Sequence, residues 1–112
     1  MTTTPVSNAP AARPEESVEE RLRRLEAIWE AETLVFSDPA RITAHWAFQE
    51  ILSMGDAVVP LMLRDLEREA KLWVWALPRI TGENPVPPSD GGNITKMSEA
   101  WVRWGREKGY RW

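Results

Sequence analysis

A chain of 112 residues, 43% hydrophobic and with a formal net charge of −3, has room for one domain and a tail, and its acidity speaks against a general nucleic-acid binder. The absence of cysteine excludes disulfides, thiolate chemistry and zinc–thiolate sites, and it fits a reducing compartment. No apolar run approaches the roughly 18 residues of a membrane span, and no basic-then-apolar leader stands at the N-terminus, so the expectation is a soluble cytoplasmic protein.

Residues 1–14, rich in Thr, Pro and Ala, show no periodicity and read as a disordered tail before a helical domain over 15–112. A first helix is expected from Pro14 to Val35. Ser17 and Glu20 have capping-box spacing, and Val18, Leu22, Leu25, Trp29 and Phe36 fall on one stripe. Arg21, Arg23, Arg24 and Glu26 lie off that stripe, as a solvated face. Ser37-Asp38-Pro39 breaks the chain, with Asp38 as a cap and Pro39 in the first position of a new turn. A second helix, starting somewhere between Pro39 and Trp46, stops at Gly55, with Trp46, Phe48, Ile51 and Leu52 facing inward.

Asp56 is expected to open a third helix, with Val59, Met62, Leu63, Leu66 and Ala70 on its apolar face. Residues 71–81 read as a short fourth helix that is apolar nearly all round, which implies a central position or a second covered side. Trp73 and Trp75 would stand about 160° apart on it. Pro78 removes one hydrogen bond from its last turns. Residues 85–92 form a loop, and a last helix over 93–108 carries Ile94, Met97, Trp101 and Trp104 on its stripe before Gly109 stops it.

One phrase occurs twice. Gly55-Asp56-Ala57-Val58-Val59-Pro60 and Gly82-Glu83-Asn84-Pro85-Val86-Pro87 stand 27 positions apart, each after a short apolar run. A period of that length points to stacked helical hairpins. Trp75-Ala76-Leu77-Pro78-Arg79-Ile80-Thr81-Gly82-Glu83, with its Val-Pro sequel, resembles the linking segment of HEAT-like repeats of the phycobilisome-lyase type. Met54 to Leu61 resembles the same segment, and the likeness covers residues 46–108. It departs from the pattern at Pro78 and in the loop over 85–92. The stretch from Ala100 to Trp112 also resembles the ends of small uncharacterised bacterial proteins. The resemblance implies an all-α array of about five helices, one and a half to two repeats, closed by an N-terminal capping helix or by self-association. It implies binding of macromolecules and no catalysis.

The chemistry-bearing residues agree with that. His45 is the only imidazole and has no well-placed carboxylate on its own helix, so a cap or structural role is expected. Carboxylate pairs such as Glu15-Glu16 and Glu19-Glu20 lack the loop that a cation site needs, and no phosphate-binding or nucleophile motif occurs. No catalytic group, cofactor or metal is expected. Charge is asymmetric: residues 15–32 hold seven Glu and three Arg, whereas residues 96–112 hold five Lys or Arg and two Glu. The basic end is expected to dock on the acidic first helix, leaving Tyr110, Arg111 and Trp112 exposed. The candidate partner-binding residues are Trp73, Trp75, Arg106, Tyr110, Arg111 and Trp112, unless the first helix covers Trp75. The expected function is a non-catalytic protein-interaction module, a small bacterial adaptor or antitoxin-like inhibitor with an unidentified protein partner. The alternative is a nucleic-acid accessory protein using the basic aromatic C-terminus.

Overall fold

A computed structural model describes residues 16–112, in which six α-helices and two short 3-10 turns occur without any strand. The fold is all-α. The tail expected over 1–14 lies outside the described residues.

Helix α1 spans Val18–Thr33. Both halves of its capping box form: the Ser17 hydroxyl accepts from the Glu20 amide at 3.0 Å, and the Glu20 carboxylate accepts from the Ser17 amide at 2.8 Å. It ends two residues before the expected Val35, so Phe36 leaves the stripe and lies in the linker under the Arg41 guanidinium, 4.3 Å away. The expected second helix is two. Helix α2 (Pro39–Thr43) starts on the Asp38 cap, and α3 (Trp46–Ser53) starts on His45. That start sets the phase of α3: Ala47, Phe48 and Ile51 turn inward, whereas Trp46, expected inside, is 53% exposed.

The third helix does not open at Asp56. A 3-10 turn, Gly55–Val58, comes first, and α4 (Val59–Arg68) begins after it with Pro60 in its first turn. The α4 backbone turns extended at Glu69, which leaves Ala70 off the apolar face and exposed. Helix α5 (Trp73–Thr81) tolerates Pro78 near its end, and α6 spans Ile94–Lys108 from an Asn93 cap. The two glycines of the repeated phrase both have positive φ, 69° at Gly55 and 75° at Gly82, where a side chain would be strained. The bends then diverge. The first leads at once into α4, while the second runs through an extended segment and a 3-10 turn, Pro88–Asp90, before α6.

Helix α1 packs along α3, α4 along α6, and α5 touches α3, α4 and α6. Leu22, Leu25, Phe48, Ile51, Met62, Leu63 and Leu77 join in one hydrophobic cluster. At roughly 25 cal/mol per Å² of apolar surface, that burial is the main driving force for the fold. Trp29 is its hub: it stacks on Trp73 at 5.9 Å, meets Phe48 at 4.9 Å, and donates its indole N–H to the Ile42 carbonyl at 2.8 Å. A second aromatic group, Trp101, Trp104 and Tyr110, closes the α6 end.

Candidate functional site

The expected partner-binding residues do not gather in one place. Trp73 is 1% exposed and donates its indole N–H to Asp65 at 2.9 Å, so it is a core residue and not a surface anchor. The reason is the α5 phase: the residue opposite Trp75 must point at α1 and α4. The C-terminal group folds back on α4. Arg106 pairs with Glu67 and lies over the Trp112 ring at 5.0 Å, and Trp112 donates to the same Glu67 at 2.7 Å. The Tyr110 hydroxyl donates to Asp56, which raises the phenol pKa to about 12. Tyr110 and Trp112 are therefore half-buried, correcting the expectation that they stand free; Arg111 is exposed. The anions that hold this basic end are Glu67, Asp56 and, for Lys108, Glu83. None belongs to α1, so the basic end docks on α4 and the two glycine junctions instead of the acidic first helix.

Trp75 is half-buried, and α2 rather than α1 lies beside it. A groove of about 490 Å³ runs between them. Pro39, Ala40 and Thr43 of α2 form one wall, and Val74, Trp75 and Pro78 form the other. Val86 and Met97 close the far end, and Arg79 supplies the only charge in the lining. An apolar floor with an aromatic wall and few polar groups is the composition of a recognition surface.

The largest charged cluster is structural. Arg23 of α1 holds Asp65 of α4 through two bonds, 2.6 and 2.8 Å, and also reaches Glu26 at 2.9 Å. Lys71 pairs with Glu26 at 2.7 Å. Asp65 and Glu26 are 6% and 7% exposed, so the charges read from sequence as a solvated face form an internal clamp across α1, α4 and the start of α5. Burial opposes ionisation of Asp65, but the bonds from Arg23 and Trp73 and the nearby positive charges outweigh it and lower its pKa. Beside this clamp, a cleft of about 230 Å³ is lined by Glu26, Glu30, Glu69 and Lys71 with Trp29 and Trp73 behind. Burial, then the Glu26 charge, raises the Glu30 pKa there.

His45 has a capping role. Its Nδ1 accepts from the Ala47 amide at 3.0 Å, so Nε2 carries the proton and donates to Glu32 at 2.7 Å. A neutral ring satisfies both bonds, and it ties the start of α3 to the end of α1. His45→Ala is expected to destabilise the fold by about 1 kcal/mol in urea unfolding; no change would deny the cap its role.

Sequence reasoning also missed an exposed apolar pair. Leu34 and Val35, in the α1–α2 linker, are 81% and 88% exposed, and among the described residues they stand outside the hydrophobic cluster. Their signal was the position of the break: the first helix ends before them, not after. Among the described residues no helix is long and apolar enough to cross a membrane. Comparison with known protein families, curated proteins and solved structures gave no match.

Proposed function

We propose that the protein is a non-catalytic protein-interaction module, of the small cytoplasmic adaptor or antitoxin-like inhibitor kind, and that it takes its partner in the Trp75 groove. The observation that carries this reading is the groove itself, an apolar channel with a tryptophan wall. A HEAT-like array is part of the proposal. In support, α1 packs on α3, α3 on α5 and α4 on α6, as successive repeats would. The nucleic-acid reading has weaker support, because Arg106, Tyr110 and Trp112 have internal partners.

The test is affinity capture from the native cell, followed by titration of the purified partner against wild type and Trp75→Ala. A Kd raised at least tenfold by Trp75→Ala, with little salt dependence, is the expected result. A captured nucleic acid whose affinity falls steeply with salt and is lost in Arg106→Ala and Arg111→Ala would overturn it.

A further inference from the structure

The linker and the groove are complementary. Leu34 and Val35 form an apolar knob that the described residues leave exposed. Acid flanks it along the chain: Glu30 and Glu32 precede it, Asp38 comes after it, and the last turn of α1 has no basic residue; Glu32 also pairs with His45, and Asp38 caps α2. The groove is apolar with one cation in its lining and two beside lining residues in the chain. Arg79 is on its wall, Arg41 is next to Ala40, and Lys96 is next to Met97. Among the described residues these three cations have no carboxylate within ion-pair distance, which is also true of Arg68, Arg103 and Arg111, whereas Arg21, Arg23, Arg24 and Arg64 do. Arg41 and Arg79 lie over the Phe36 and Phe48 rings instead.

We propose that a second copy of this chain seats its Leu34–Val35 knob in the Trp75 groove and receives the same contact in return. This rests on the reading of the groove as a protein-binding surface and names its occupant. Knob and groove are joined through α2: the linker ends at Asp38, and the groove wall begins at Pro39. A two-fold axis beside the α2 start therefore makes both contacts at once and closes the assembly as a dimer. The pairing covers the exposed aliphatics and sets acid against base at both ends of the contact.

The test uses the full chain in sedimentation equilibrium over about 1 to 200 µM, with circular dichroism to show that each variant folds. A dimer is expected, weakened about 30-fold or more in the Leu34→Asp, Val35→Asp double variant, whose sites are exposed and tolerant of charge. The chain has no cysteine, so geometry can be read by oxidation. A mixture of the single variants Val35→Cys and Arg79→Cys is expected to cross-link faster than Val35→Cys mixed with Glu20→Cys. A chain that stays monomeric throughout overturns the inference. So does a dimer indifferent to the knob variant, or cross-linking no faster than the control. If the chain is monomeric while another protein still binds in a Trp75-dependent way, this inference fails and the interaction-module reading stands. If Trp75→Ala alters neither self-association nor capture, the groove reading itself fails.

Discussion

Replacing Asp65 with Ala is expected to lower the unfolding free energy by about 3 kcal/mol, although the residue makes no hydrophobic contribution. The carboxylate is buried and serves three donors: both terminal nitrogens of Arg23 and the indole of Trp73. Its removal leaves the Trp73 N–H unpaired in the core and the Arg23 and Lys71 charges short of one anion. Glu26 remains beside both cations, which holds the loss to the lower end of the range for broken buried pairs. Arg23→Met alone should cost less, and the double variant less than the sum, because both deletions remove one interaction. Equal additivity in a double-mutant cycle would mean that the clamp is not a unit.

The clamp also gives a pH signature. The Asp65 pKa is lower in the folded state than in the unfolded chain, so the unfolded state binds the proton more readily. The stabilisation is complete above the unfolded value of about 3.9 and disappears as pH falls through the folded value. The stability gap between wild type and Asp65→Asn should therefore be widest near neutrality and narrow in acid. A gap that is constant from neutral to strongly acidic pH would contradict the assignment.

Gly105 supplies the second large effect. It lies inside α6, where replacement by Ala ordinarily gains about 1 kcal/mol of helix propensity. Here an added Cβ would stand 2.4 Å from Leu63 Cδ1 and 3.1 Å from the Trp112 ring. Leu63 is fully buried, so its methyl cannot swing away without displacing other core atoms. Overpacking outweighs propensity. Gly105→Ala should destabilise by about 1 kcal/mol and Gly105→Val by about 3 kcal/mol, with a shift in tryptophan fluorescence as Trp112 lifts from α4. A Gly105→Ala protein more stable than wild type would show that α6 and α4 do not approach this closely.

Signals local to the chain were legible in the sequence. The Ser17–Glu20 box, the Asp38-Pro39 start and the glycine stops depend on neighbours a few residues away, and all formed where expected. The break before Trp46 was not legible, because the cap there is an imidazole rather than a hydroxyl or carboxylate, and Trp46 was misplaced with it. The Arg23–Asp65 clamp joins residues 42 apart, and the Tyr110–Asp56 bond joins residues 54 apart. Each partner looks like an ordinary solvated residue until the chain folds. The groove was half legible: Trp75 was singled out, but its facing wall is α2, whose Asp38-Pro39 start was read while its separation from the helix at Trp46 was left open.

Site-specific photo-cross-linking in the native cell tests the central claim most directly. A benzophenone side chain at position 79, on the groove rim, is compared with one at position 20, on the solvent face of α1. The groove account expects a discrete protein adduct from position 79, identified by mass as another copy or a different protein, and none from position 20. Adducts from position 20 but not from 79, or a nucleic acid in place of a protein, would contradict it.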